Sequence, residues 1–493
     1  MEKRSRFLTG AAAGGGKLLD SRAGTQVLDL ASSLAYRDYL RAPLMKLADR
    51  GLRSALESDG VRRAGSGRLT RERIMWVRAV LQALDRAVRQ GVVSPHVIRV
   101  QTRILARRLP FASNVSPGRK EFRLRYGCDP PWMIVVSPGH ACNMQCAGCY
   151  ASSEDSAEKL PWHVLDEVVR QANELWGVGL VIISGGEPLA YRSEGKDVLD
   201  LIEKHPDCLY LMYTNGTMID ETMAARMERL GTLTPAISVE GMRESTDERR
   251  GEGAFDRALE AISHLRAAGV PFGVSATVTR SNCEELMSDE FLDYFLLELG
   301  GFYCFYFHYM PTGRDPDIAL MPTPRQRLEF WRHTWDAIAT RKMCILDFWN
   351  HGTLMNGCVS AGRARGYLYI DWDGKVMPCV FAPYSACNVR DVFARGGNLN
   401  DVLEMPFFSA IRGWQRDYGF ENGGPSREGN LLAPCPIRDH YGMFREWVDR
   451  FGPEPEDAPA MEALADGEYY KGLVAYGEEL SRLSRPIWEA EYL

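Results

Sequence analysis

The chain has 493 residues, 45% of them hydrophobic and 25% charged, a globular balance that excludes a disordered or fibrous protein and leaves room for two or three domains. No apolar run reaches the length of a membrane-spanning helix, and the basic start MEKRSRFLTG lacks the sustained apolar stretch of a secretory signal. Twelve cysteines in a chain of this size do not make a disulfide scaffold, and a reducing cytoplasm suits them. The net charge of -6 hides a split: through Gly127 there are 26 Lys and Arg against 10 Asp and Glu, and 33 against 55 thereafter.

From Val27 to Leu109 the pattern is helical, with a break at Glu57 to Ser66. The segments RAPLMKLADRGLRSAL and HVIRVQTRILARRL set apolar residues at three- and four-residue steps between arginines. Such helices suit peripheral contact with the anionic inner face of a membrane, or a helical subdomain that packs on the acidic remainder behind a solvated arginine face. The charge also fits nucleic acid, but no recognised module accompanies it and no nucleic-acid partner is expected.

Past Asp129-Pro130-Pro131 apolar runs alternate with helical patterns. Strands are predicted at WMIVVSP, LVIISGG, LYLMYTNG, PAISVEG, FGVSATV and FYCFYFHYM, and helices around Trp162 to Trp176, Lys196 to Lys204, Glu221 to Leu230, Phe255 to Ala268 and Asp289 to Leu299. Six such units predict an α/β fold with a parallel sheet and right-handed crossovers. Chemistry then belongs at the C-terminal ends of the strands. There stand Cys142, Cys146 and Cys149 in CNMQCAGC, then Gly185-Gly186-Glu187-Pro188, Thr214-Asn215-Gly216 and Ser238-Val239-Glu240.

Three closely spaced thiolates can converge on three irons of a 4Fe-4S cube, leaving the fourth iron open for a ligand. Zinc, which usually takes four protein ligands when structural, is the alternative. The spacing CxxxCxxC in the loop after the first strand, followed by GGEP after the second, resembles the radical S-adenosylmethionine (SAM) enzymes. That resemblance implies a partial (β/α)6 TIM-like barrel and a 4Fe-4S cluster whose open iron is chelated by SAM. It also implies a flavodoxin- or ferredoxin-type electron donor, and a 5'-deoxyadenosyl radical that abstracts hydrogen from an unactivated C-H bond. The alternative from another class is a non-catalytic iron-sulfur protein for electron transfer or binding, on a degenerate barrel.

By the same resemblance Gly185, Gly186, Glu187 and Pro188 run along the methionine end of SAM, with Glu187 accepting from its amino group. Ser238 and Glu240 stand near its methionine or ribose part, where the family usually has aspartate in place of Glu240. Arg250 pairs with its carboxylate or is a surface arginine, and Thr214 and Asn215 shape the site. The position before the third cysteine, usually aromatic in the family, is Gly148 here, so backbone of Gly148 with nearby Tyr150 is expected to meet the adenine. His308 in FYFHYMP is a catalytic candidate if it points into the barrel and a core histidine if it points out. Aromatic residues around it suggest a dry wall that protects a radical.

After a helix at Pro324 to Thr340, Cys358 precedes YLYIDWDGKVMPC, a hairpin with Asp373-Gly374 in its turn and Cys379 at its end. This resembles the SPASM and Twitch extensions of radical SAM enzymes, which implies an auxiliary 4Fe-4S cluster on Cys358, Cys379 and Cys435, with Cys387 as a doubtful fourth ligand. Buried structural thiols or a zinc knot are the alternative. Four regions are expected: a basic helical part over 1–128, the barrel over 129–342, the hairpin-containing auxiliary domain over 343–440 and an acidic helical tail over 441–493. The Gly-rich stretch 419–430 is a lid or a connection. The substrate is a lipid, a peptide or a small molecule.

Overall fold

The computed structural model describes residues 50, 67–108, 116–418 and 428–493. The expected break at 57–66, most of the amphipathic segment 41–56 and most of the Gly-rich stretch 419–430 lie outside the described residues.

The six apolar runs form six neighbouring parallel strands: β1 (Met133–Val136), β2 (Leu180–Ile183), β3 (Leu209–Thr214), β4 (Leu233–Ser238), β5 (Gly273–Val278) and β6 (Tyr303–His308). They pair in chain order, with Val136 opposite Ile183, Ile183 opposite Met212 and Val278 opposite His308. Helices Trp162–Gln171, Val198–Lys204, Glu221–Leu230, Ala254–Ala268 and Asp289–Asp293 join them, and Arg243–Arg250 adds one more after β4. Covered on one side by these helices and facing its own interior on the other, each strand needs apolar residues on both faces, which is why the runs are nearly continuous.

The sheet extends past six strands in both directions. A seventh parallel strand, β7 (Ile345–Asp347), pairs with β6; a run of three residues is too short to stand out in the sequence. At the other edge β8 (Tyr369–Ile370) lies parallel to β1 and antiparallel to β9 (Lys375–Met377). This is the expected hairpin, with Gly374 at positive φ in its turn, and it continues the barrel's own sheet. A short ribbon, β10 (Tyr384–Ser385) with β12 (Glu454–Pro455), ties the tail to this side, while β11 (Cys387–Asn388) pairs with β9. The ten-stranded sheet ends on β11 and β7 and does not close.

Alternation along β6 divides inside from outside. Tyr303, Phe305 and Phe307 face the barrel interior, where rings meet from Tyr213 to Phe307 (5.3 Å), Phe307 to Phe381 (6.0 Å) and Phe381 to Tyr150 (5.7 Å). Tyr306 and His308 face the helix Pro324–Asp336 and pack on its Phe330.

The basic N-terminal part supplies three described helices, α1 (Gly67–Arg89), α2 (Pro95–Arg108) and α3 (Pro117–Tyr126). Val80 and Ala83 of α1 enter the barrel from below and pack with Leu180, Leu211, Ala236, Tyr303 and Cys344. Arg86 Nη1 donates to the Lys342 carbonyl at 3.1 Å, and the Ser94 amide donates to the Gly269 carbonyl at 2.8 Å. Both carbonyls lie in loops that enter strands. The described basic helices therefore close the end of the barrel opposite the cysteines, with Arg86 and the Ser94 amide satisfying loop carbonyls there. No described helix is long and apolar enough to cross a membrane.

Candidate active site

The loop after β1 carries Cys142, Cys146 and Cys149, all half-buried. The GGEP loop after β2 interlocks with it: the Gly186 amide donates to the Gly139 carbonyl at 3.0 Å and the Glu187 amide to the Ala141 carbonyl at 2.8 Å. A Cβ on Gly186 would stand 2.2 Å from the Ala141 oxygen and 2.5 Å from the His140 oxygen. Glycine is required here by close approach of two backbones. Gly185 has φ of 110°, in the region that favours glycine.

Glu187 is buried. Its Oε1 accepts from the Thr214 hydroxyl at 2.7 Å and the Leu189 amide at 3.1 Å, and its Oε2 accepts from the Asn215 amide at 2.8 Å. Burial pushes this carboxyl up, against those hydrogen bonds and the Arg250 charge. Glu187 thus pins the loop after β3, and Pro188 starts the turn that Glu187 caps. Asn215, so held, points Nδ2 at Cys142 Sγ (3.9 Å) and at Asn143 Oδ1 (2.8 Å).

Glu240 is fully buried after β4. Its carboxylate accepts from Arg249 Nη1 at 2.6 Å, from Arg250 Nε at 2.7 Å and from the Thr277 amide at 2.9 Å. Arg250 Nη1 then reaches Cys146 Sγ at 3.9 Å. Burial works to lower the Arg250 pKa, and Glu240 and the Cys146 sulfur outweigh it, so the guanidinium is held charged. Glu240 orients two arginines, and Arg250 addresses the cysteine loop. Ser238, on β4, stands 3.3 Å from Ser275, its register partner on the adjacent β5.

Gly148 has φ of 60°, and a Cβ there would lie 2.6 Å from the Tyr309 ring. An aromatic ring therefore covers this position, delivered from the end of β6. Tyr150 sits beneath the GGEP loop, its hydroxyl 2.5 Å from Ser184 Oγ and accepting from the Gly185 amide at 3.1 Å.

A sequence profile of the Radical SAM superfamily matches residues 136–285, the stretch from the end of β1 to just past β5. The chain carries a radical SAM domain over these residues. The AdoMet-dependent heme synthase of Methanosarcina barkeri is 28% identical over 292 residues, covering 53% of this chain and 80% of that protein. Mycofactocin maturase MftC of Mycolicibacterium smegmatis is 29% identical over 382 residues, covering 73% of this chain and 93% of that protein. The crystal structure of Streptococcus suis SuiB bound to S-adenosylmethionine shares the fold, with a TM-score of 0.50 at 15% identity over 70% of this chain and 80% of that one.

The chain is accordingly a radical SAM enzyme, and membership implies a 4Fe-4S cluster and SAM. The residues present fit them. Three thiols stand on one loop, and Cys142 is pushed up to about 11 by burial, with Glu187 and the other two sulfurs adding to the rise. Asn215 and Arg250 offer donors that favour the thiolate form. Among the described residues no three His, Cys, Asp or Glu side chains are gathered tightly enough for a single ion.

In this radical SAM chain the auxiliary candidates divide. Burial, then the Cys435 and Cys358 sulfurs, push the Cys379 thiol well up, and burial, Asp439 and Cys358 push Cys435 up to about 12. Cys358, Cys379 and Cys435 are therefore neighbours, brought together from three separate segments. Cys387, on β11, has Arg395 and Asp391 as its charged neighbours instead.

His308 does not reach the interior. It is fully buried behind β6, with Nε2 3.1 Å from Asp347 Oδ2, and burial lowers its pKa. Two arginines escaped the sequence reading. Arg249 donates to Glu240 and to the Gly148 carbonyl (3.3 Å). Arg314 donates to the Cys146 carbonyl (2.9 Å) and the Ser153 carbonyl, and so fixes the cysteine loop from the segment after β6. The pair Arg249-Arg250 beside the motif was the available signal for the first; Arg314 has none.

Proposed function

We propose that this enzyme cleaves SAM reductively at a 4Fe-4S cluster held by Cys142, Cys146 and Cys149, and uses the resulting radical to take hydrogen from a C-H bond of a peptide. The interlock of the cysteine loop with Gly185, Gly186 and Glu187 at the mouth of the barrel carries the reading. When bound, the cluster supplies one electron to the SAM sulfonium, giving methionine and a 5'-deoxyadenosyl radical. The chain's own residues position and shield. Tyr150 braces Gly185, Glu187 braces Asn215, Glu240 aims Arg250, and the rings of Tyr213, Phe305, Phe307 and Phe381 exclude water from the interior. Cys358, Cys379 and Cys435 hold an auxiliary 4Fe-4S cluster, with Cys387 outside the set. A flavodoxin- or ferredoxin-type protein supplies the electron, in the cytoplasm.

Two observations support a peptide over a lipid. The alignment with a maturase spans most of both chains, and the described basic helices lie at the end of the barrel away from the mouth, so docking through them would not bring a lipid to the cysteines. A heme precursor is the second reading, carried by the similarity to heme synthases. The test is 5'-deoxyadenosine formation by anaerobically reconstituted, reduced protein given SAM, for the wild type and a Cys142→Ala, Cys146→Ala, Cys149→Ala variant. Formation that depends on the cysteines and rises with a peptide fraction is expected. A rise with tetrapyrroles alone would select the second reading, and no formation under any addition would leave a non-catalytic iron-sulfur protein.

A further inference from the structure

The short helix Pro436–Asp439 follows Cys435, and its Arg438 is fully buried. A guanidinium carries a permanent charge and five N–H donors, yet Nε, Nη1 and Nη2 of Arg438 all lack hydrogen-bond partners. The nearest carboxylate, Asp439, stands 3.7 Å from Nε. That carboxylate is committed elsewhere: it takes Arg327 in a two-pronged pair at 2.5 and 3.1 Å and the Cys435 amide at 3.0 Å. Around Arg438 the protein offers ring faces, Trp349 at 4.8 Å and Tyr476 at 5.4 Å. The Trp349 Nε1 and the Tyr476 hydroxyl are themselves buried without partners.

A buried cation left without a counter-charge costs several kcal/mol, so a retained one has an anion to meet. Of the neighbouring carboxylates, Asp439 takes Arg327 directly and Asp347 is hydrogen-bonded by His308 and Asn350. Arg438 is left with every donor unmet. Trp349, with Arg438 over it at 4.8 Å, meets the Phe381 ring at 4.7 Å, and the Ala361 amide donates to the Pro378 carbonyl at 2.9 Å, so Arg438, on the turn after Cys435, stands where the segments of Cys358, Cys379 and Cys435 meet. Three thiolates on the dipositive core of a 4Fe-4S cube leave one unit of negative charge. A cation with every donor unmet stands beside three gathered cysteines.

We propose that Arg438 is the counter-cation of the auxiliary cluster on Cys358, Cys379 and Cys435, a positioning residue that stabilises the bound cluster and raises its reduction potential, with the Trp349 indole N–H as a second donor to the sulfur shell. This rests on the auxiliary-cluster reading above. A cation beside the cluster favours its more negative, reduced form, so removing the charge makes reduction harder. The same removal relieves the cluster-free protein of an unpaired buried charge, so its stability should hold or rise. A residue that merely packs would lower both.

The full chain carrying Cys142→Ala, Cys146→Ala and Cys149→Ala loses the cysteines of the first loop and keeps Cys358, Cys379 and Cys435, and Arg438→Met and Arg438→Lys are made in that background. Iron and sulfide content, the EPR signal of the reduced form, a midpoint potential and urea unfolding with and without reconstitution are measured. The background should bind a cluster. Arg438→Met should shift the reduction equilibrium at least about tenfold toward the oxidised form, about 59 mV more negative for one electron, while leaving the cluster-free chain no less stable; Arg438→Lys should recover most of the shift. An unchanged potential, or equal destabilisation of the loaded and cluster-free chains, would overturn the role of Arg438 alone. A background that binds no iron-sulfur would overturn the auxiliary-cluster reading and this proposal with it.

Discussion

Replacing Gly186 with alanine tests whether the interlock of two loops makes the site. The new Cβ would meet the carbonyl oxygens of Ala141 at 2.2 Å and His140 at 2.5 Å, where ordinary contact needs about 3.5 Å. Both obstacles are backbone, so relief requires the loops to part by about 1 Å. That movement strains the hydrogen bonds from Gly186 to Gly139 and from Glu187 to Ala141, each worth about 1 kcal/mol net. A displacement of about 1 Å at a reacting centre costs about a hundredfold in rate. Gly186→Ala should therefore retain its iron, because the three cysteines are untouched, yet form 5'-deoxyadenosine about a hundredfold more slowly. Gly467→Ala, in open space at the start of a helix, serves as the control. Wild-type rate and SAM affinity in Gly186→Ala would refute the argument.

Three further outcomes follow from particular side chains. Asp371 is buried at the hairpin turn and accepts from the Asp373 and Lys375 amides; burial pushes its carboxyl up to about 7. The folded chain then keeps a proton that the unfolded chain has lost, so stability present below about pH 4 falls as pH rises through about 7, by about 4 kcal/mol at most. Asp371→Asn, which keeps an accepting oxygen, should flatten that slope in urea unfolding followed between about pH 5 and about pH 7.5. Glu240→Gln removes the charge shared by Arg249 and Arg250 and should cost about 3 kcal/mol in chemical unfolding, with weaker retention of iron; an unchanged unfolding midpoint would count against the bracing role. Cys387→Ser should leave iron content at the wild-type level, whereas Cys379→Ser should lower it.

The strands, their order and the cysteine and GGEP loops were legible because each is written in adjacent residues: an apolar run for a strand covered on both faces, then small or ligating residues where it ends. The hairpin was legible from Asp373-Gly374 and its alternating flanks. What the sequence could not say concerns residues far apart. Parity along β6 sent His308 toward Phe330 and Asp347 and sent Phe307 inside, and only the packed sheet reveals which parity faces in. The ring over Gly148 comes from Tyr309, and the clamp on the cysteine loop comes from Arg314. Neither is near the motif in the chain.

Sequence by itself determined the kind of chemistry, since ligand type and spacing are local properties of one loop. Tertiary structure decided the use of charge. It set the described basic helices beneath the barrel, against carbonyls of the loops entering the strands. It gathered Cys358, Cys379 and Cys435 while leaving Cys387 on an edge strand, and it buried Arg438 without a hydrogen-bond partner. Those outcomes depend on which surfaces lose water to one another, and no short stretch of sequence carries that information.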